Sequence, residues 1–190
     1  MMGLLIWKYQ RSSWILLFIL FVSTTQLWAQ SNAAKVQAID EVYRQARISI
    51  SQKKWLSNHF TINLKRHNLN HSGYYHYSEK FYYALVTPSS PLLQLALVRR
   101  EKENVDYQQE FLFNPEGKLI YFHEKQNDVK NHPYREVKVY FERGKLLVWN
   151  QSNQTDLRLK VGLSPKERVK IILKEARLLQ KKLARQLEEM

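Results

Sequence analysis

The 190-residue sequence has no cysteine. No disulfide can staple it and no lipid can be attached through an N-terminal cysteine, so an exported domain of this composition must stand on its apolar core alone. The short motifs from which chemistry is often read are missing too: there is no glycine-rich phosphate loop, no Gly-x-Ser-x-Gly elbow and no His-Glu-x-x-His. The apolar run near the N-terminus, Trp14 to Val22, falls well short of the roughly 20 residues that a membrane-spanning helix needs. Acids are in deficit, 17 against 30 lysines and arginines, which leaves a formal net charge of +13.

What is present begins with an export signal. Lys8 and Arg11 precede the apolar run, a polar Ser-Thr-Thr-Gln follows it, and Leu-Trp-Ala-Gln closes the stretch. A charged segment, a short apolar core and a small residue at the end make a secretory signal peptide, with cleavage after Ala29. Leu27 stands where the usual pattern has a small residue, and an uncleaved anchor is the rival reading. The organisation expected is a signal peptide over residues 1–29 and one exported domain over residues 30–190, periplasmic or extracellular. That length suits one core and is too short to suggest two.

Removing the signal segment takes away two cations and no acid, so the mature charge is +11. The densest basic stretches, Lys-Glu-Ala-Arg-Leu-Leu-Gln-Lys-Lys-Leu-Ala-Arg, which includes one acid, and Arg-Ile-Ser-Ile-Ser-Gln-Lys-Lys-Trp, fall on predicted helices and sit beside no nucleic-acid module. Nucleic acid is not an expected partner. The plain reading is a solvated helix face. The functional reading is attraction to an anionic envelope polymer, a membrane surface or an envelope protein. Its carriers are Lys174, Arg177, Lys181 and Arg185, which recur at spacings of three and four.

The apolar pattern divides the mature chain in three. Val36, Ile39, Tyr43, Ala46 and Ile50 form the stripe of an amphipathic helix over residues 32–50, capped by Ser31 or Asn32. From Phe60 onward the period becomes two, through aromatic-rich stretches separated by turn clusters. Two of these stretches repeat one another: Phe113, Gly117, Lys118, Leu119 and Phe122 correspond to Phe141, Gly144, Lys145, Leu146 and Trp149. Pro115 presets its own φ and Gly117 supplies a positive φ, the chemistry of a type I turn closed by a glycine bulge, and Gly144 is expected to do the same with one residue fewer. Regular alternation then puts Leu119 and Tyr121 on one face, and Ile120 and Phe122 on the other. The last part is a helix. Ser164 caps it, Pro165 opens it, Glu167 completes a capping box, and Val169, Ile172, Ala176, Leu179 and Leu183 form its stripe. Its length predicts that the end beyond Leu183 projects past the sheet. The fold class is therefore α+β: an antiparallel meander of at least five strands, flanked by an N-terminal and a long C-terminal helix.

The order Tyr-x-x-x-Phe-x-Phe-Asn-x-x-Gly-Lys-Leu-Ile-Tyr-Phe, then Arg-Glu-Val-x-Val-Tyr-Phe-x-x-Gly-Lys-Leu-Leu-x-Trp, resembles a recurrent pattern in small exported bacterial proteins of unknown function. The resemblance covers roughly residues 36–150 and rests on Gly117 to Ile120 and Arg135 to Trp149. It departs between Gly73 and Val98, where those proteins have smaller residues in a tighter turn. It implies envelope location and fold, and carries over no site residues.

Among residue types that do chemistry, His67, His71 and His76 cluster around an expected loop beside Glu79. The first two lie among Asn and Gly and lack the shared helix face of an i, i+4 ligand pair. Glu79 lies between Tyr77 and Phe81 in one same-face series; it is either a buried acid, hence a functional candidate, or the exposed residue of a strand that turns its aromatics inward. Two functions from different classes follow. One is a non-catalytic envelope protein, needing no cofactor and no metal, that binds a protein or anionic polymer through its sheet and helices. The other is a small hydrolytic or metal-dependent enzyme with its site at His67, His71, His76 and Glu79, which must then converge.

Export of the full chain is expected to leave a mature N-terminus at Gln30, read by intact-mass spectrometry. A full-length species retained in the membrane pellet after carbonate washing is the outcome expected of an uncleaved anchor instead.

Overall fold

A computed structural model of the chain describes residues 31–64, 75–87, 90–102, 105–128, 134–153 and 164–189. The expected signal segment, His67 and His71 lie outside the described residues. The chain divides into two compact units, Met1–Ala38 and Ile39–Met190. Of the first, residues 31–38 are described, and they are helical. They open helix α1, residues 31–51. The second unit holds the rest of α1, seven strands and helix α2 (Pro165–Glu188).

The end of α1 is set by backbone chemistry. Lys54 N–H reaches back to Ser49 O at 2.9 Å and Lys53 N–H to Ile50 O at 3.0 Å, while Lys53 takes φ +55°. This is a Schellman closure, with a lysine where glycine is usual. The helix thus runs through the β-branched Ile48 and Ile50, and stops where a left-handed residue turns the chain into the sheet.

Strands β1 (Leu56–Leu64), β2 (Tyr75–Thr87), β3 (Ser90–Lys102), β4 (Val105–Phe113), β5 (Leu119–Asp128), β6 (Tyr134–Glu142) and β7 (Lys145–Asn153) pair antiparallel in sequence order. The expected meander is present, with seven strands among the described residues. Its α2 face carries Phe81, Phe111, Phe113, Phe122 and Phe141, each nearly solvent-free, among Val98, Val137 and Val139. Burying one such phenylalanine side chain stabilises the fold by about 2–3 kcal/mol.

The two repeated hairpins show what the repeat encodes. In the first, Gly117 N–H donates to Asn114 O at 2.9 Å and Asn114 N–H to Lys118 O at 2.9 Å, with Gly117 at φ +72°. That is the type I turn and glycine bulge expected. The second differs: Glu142 pairs directly with Lys145, and both Arg143 (φ +52°) and Gly144 (φ +77°) are left-handed. A two-residue loop must twist with its strands, which needs positive φ at both positions, so this is a type I′ turn. Past each turn comes a second irregularity. Phe113 faces Leu119 while Leu112 faces Tyr121, leaving Ile120 unpaired in the ladder; Phe141 faces Leu146 while Tyr140 faces Val148, leaving Leu147 unpaired. Each bulge shifts the alternation by one. Leu119 consequently shares the α2-side core with Phe122, and not a face with Tyr121 as regular alternation predicts.

Helix α2 starts with the expected capping box: Ser164 Oγ accepts from Glu167 N–H, and Glu167 Oε2 accepts from Ser164 N–H at 2.8 Å. Ile172, Ala176, Leu179 and Leu183 are buried against the phenylalanine layer, with Val169 partly buried beside them. The end beyond Leu183 does not project. Leu187 packs on the core and Gln186 accepts a hydrogen bond from Asn58 of β1 at 3.2 Å. The reason is width. Seven strands about 4.8 Å apart span about 29 Å, and residues 168 to 186 rise about 27 Å, so the helix fits the sheet it crosses.

The turn geometry sets the expected outcome of two substitutions. Gly144→Val, which forces a branched side chain into the left-handed region, is expected to cost about 1–3 kcal/mol. Arg143→Gly relieves the same constraint and is expected to stabilise by about 0.5–1 kcal/mol, the left-handed cost less the added chain entropy. Thermal unfolding of the pair checks both, and equal melting of the two variants overturns the type I′ assignment.

Candidate functional site

The sequence-predicted contact residues Lys174, Arg177, Lys181 and Arg185 are all exposed on α2. At about 3.6 residues per turn they fall on the side of the helix opposite the buried stripe. Lys170 is exposed on the same side and extends the row by one turn. Ile171, 45% exposed, and Leu178, 55% exposed, flank it. Spacing alone does not single these out, since exposed apolar residues on an amphipathic helix look like an imperfect stripe.

The opposite side of α2 is held by polar contacts as well as apolar ones. Arg168 reaches Glu124 of β5 at 2.7 Å, Arg100 of β3 reaches Glu175 at 3.3 Å, and Gln180 donates to the carbonyl of Gly117 at 2.7 Å. Lys182 pairs with Glu79 of β2, 4.6 Å above the Phe60 ring and 5.6 Å above that of Tyr77. Each contact fixes the rotation of the helix about its axis, and so keeps the basic row turned outward.

Glu79 is buried, at 3% exposure, and not the exposed residue that its aromatic neighbours suggest. One oxygen accepts from Tyr77 OH and the other faces Lys182. It borders a recess of about 170 Å³ with Tyr77, Arg100, Glu175, Leu178 and Lys182. His76 does not join it. Strand alternation puts His76 and Glu79 on opposite faces of β2. Among the described residues there is no group of three His, Cys, Asp or Glu arranged to hold a metal. Nor does any helix among them have the length and apolarity to cross a membrane.

A second titratable group, unseen in the sequence, lies on the other face under α1. Tyr43 donates to Glu110 of β4, and Tyr140 of β6 donates to Asp40 at 2.9 Å. Between them Tyr121 packs in tilted contact with each ring, centroids 5.1 Å apart. Burial, and for Tyr43 and Tyr140 also their carboxylate partners, pushes all three phenols above their ordinary range. His123, 6% exposed, meets Glu136 at 2.6 Å. Burial holds the imidazole below its usual value even though Glu136 and Glu110 pull the other way. Burial pushes Glu136 up, but its bond to His123 and the nearby Lys138 outweigh that and leave it low. Both directions fit one state: a neutral imidazole donating Nε2–H to an ionised carboxylate. These residues lie on four separate elements, and no short spacing in the sequence announces that they meet.

The α2 face ends in a buried polar row of Gln109, Glu124, Gln126 and Arg135. Gln109 donates to Glu124 at 2.8 Å. Burial, and then the neighbouring Arg168, lower the Arg135 guanidinium from its usual value. Arg168 also lies 5.8 Å above the Trp149 ring, tying β7 to the helix.

No protein-family model, curated protein or solved structure matches the chain.

The His123 site sets a pH dependence. A histidine whose folded pKa lies below its unfolded value contributes nothing above the unfolded pKa, near 6.5, because both states are then neutral. As pH falls below that point the unfolded chain binds the proton first, so stability is lost towards the depressed folded value. The carboxylate Glu136 adds its own loss only below about pH 4.5, the ordinary value of a glutamate. Unfolding free energy measured between pH 8 and 5 is expected to fall below about 6.5, and His123→Phe is expected to flatten that decline. A parent curve flat from pH 8 to 5 overturns the neutral buried imidazole.

Proposed function

We propose that the protein is a non-catalytic exported envelope protein that docks on an anionic envelope surface through the outer face of α2. The observation that carries this reading is the division of one helix into opposed sides. Ile172, Ala176, Leu179 and Leu183 are committed to the sheet, while Lys170, Lys174, Arg177, Lys181 and Arg185 are exposed in one row. Export rests on the charged and apolar first 29 residues and on the resemblance to small exported bacterial proteins.

The magnitudes suit a reversible contact. Residues 170 to 185 span about 22 Å of helix. A basic residue near an anionic lipid surface contributes about 1 kcal/mol, so five supply about 5 kcal/mol, which corresponds to sub-millimolar binding. The flanking Ile171 and Leu178 suit the boundary between headgroups and acyl chains. The enzyme alternative needs His67, His71, His76 and Glu79 to converge, and the opposed faces of His76 and Glu79 give it no support.

Binding of the mature protein to phosphatidylglycerol vesicles, by co-sedimentation at low salt, is expected to exceed binding to phosphatidylcholine vesicles. It is expected to fade as salt shortens screening to about 8 Å. The double variant Lys174→Glu with Lys181→Glu is expected to weaken it at least tenfold with an unchanged melting temperature. Binding that ignores the reversal, or that is absent at low salt, leaves the basic row as a solvated helix face.

A further inference from the structure

The polar row at the edge of the α2-side core has bonding capacity that does not balance. Gln126 and Arg135 are direct partners across β5 and β6, and Gln109 and Glu124 are partners across β4 and β5. Alternation puts all four on the α2 face, in two adjacent ladders that share β5. Glu124, the carboxylate of the row, is engaged on both oxygens, by Arg168 Nη2 at 2.7 Å and Gln109 Nε2 at 2.8 Å. Arg135 is 5% exposed, and its contact is Nη2 to Gln151 Oε1 at 3.5 Å, the outer limit of a hydrogen bond. Its Nε and Nη1 are buried without a hydrogen-bond partner, and so are Gln109 Oε1 and Gln126 Oε1.

The imbalance has a chemical sign. Two guanidiniums share one carboxylate, so the row keeps one uncompensated positive charge in surroundings where such a charge is strongly unfavourable. Beside it two amide oxygens lack donors. Buried polar groups are otherwise almost always satisfied, and clusters of exceptions mark places where something polar belongs. The missing complement is an anion for Arg135 together with hydrogen-bond donors for the two glutamines.

We infer that this row is a receptor for a small hydroxycarboxylate, its carboxylate held by Arg135 and its hydroxyl donating to Gln109 or Gln126. Such a ligand supplies the one negative charge the row lacks and both kinds of hydrogen bond it leaves open. A phosphate monoester supplies the charge in excess and fewer donors. Gln151, which is exposed, and the Arg168 side chain, which is 22% exposed, border the row on its solvent side. The receptor lies on the sheet side of α2, away from the exposed basic row, and is independent of surface docking.

The test is thermal unfolding of the mature protein in sodium lactate, sodium phosphate and sodium chloride at equal ionic strength. Lactate is expected to raise the melting temperature saturably above chloride, as any ligand selective for the folded state does. Arg135→Met is expected to abolish that difference, and Lys181→Gln, on the outer face, to keep it. Should Arg135→Met fail to fold, the Arg135 Nε–H resonance of the parent protein, followed by nitrogen-15 NMR, is expected to shift on adding lactate and to stay in place on adding chloride. Equal responses to lactate and chloride, a lactate effect that survives Arg135→Met, or an Nε–H resonance that lactate does not move overturns the receptor. A response to phosphate alone overturns the carboxylate assignment.

Discussion

In a meander each strand is hydrogen-bonded to its sequence neighbours, and nothing in the ladder itself ties the first strand to the last. Here that tie is α2, which lies across the strands. Arg168 engages Glu124 on β5 and the Trp149 ring on β7, and Gln186 engages Asn58 on β1. Between them the stripe from Ile172 to Leu183 presses on the phenylalanine layer. Without disulfides, this single helix is the brace that makes seven hairpin-linked strands one body. Core truncations of large aliphatic side chains typically cost about 2–5 kcal/mol, so Leu183, 1% exposed, carries a sizeable share of the whole.

The two faces solve the burial problem differently. Under α2 the contact is apolar at its centre, with charged pairs around the rim. Under α1 it is built from tyrosines whose hydroxyls reach carboxylates, Tyr43 to Glu110 and Tyr140 to Asp40. A buried phenol must find an acceptor. The tyrosine face is therefore directional where the phenylalanine face is not. It fixes which residues of α1 meet which strands, whereas the other face mainly demands volume.

Much of this was legible because it is local. The capping box at Ser164 and Glu167, the stripe of α2 and the glycine of each repeated turn all lie within a few residues of one another, and period and turn chemistry expose them. What escaped was decided by pairing. The bulges at Ile120 and Leu147 break a regular alternation that no neighbouring residue contradicts. The left-handed Arg143 sits where side-chain identity gives no warning. The burial of Glu79 depends on Lys182, about a hundred residues away. Of the candidate site, the basic row was readable from spacing. His123 with Glu136, and the unbalanced row around Arg135, exist only once strands are in register.

The strict order of the strands also governs how the chain reaches this state. Every strand partner is the next segment to emerge, so sheet formation closes short loops, and hairpins of this kind form in about 1–10 μs. The brace behaves otherwise. Its contact between Asn58 and Gln186 spans 128 residues, and α2 follows all seven described strands. Until those final turns arrive, the phenylalanine layer has no cover and the sheet is a sticky, one-sided ribbon. The rate at which α2 docks, more than the rate of strand pairing, then sets how long the nascent protein is open to aggregation.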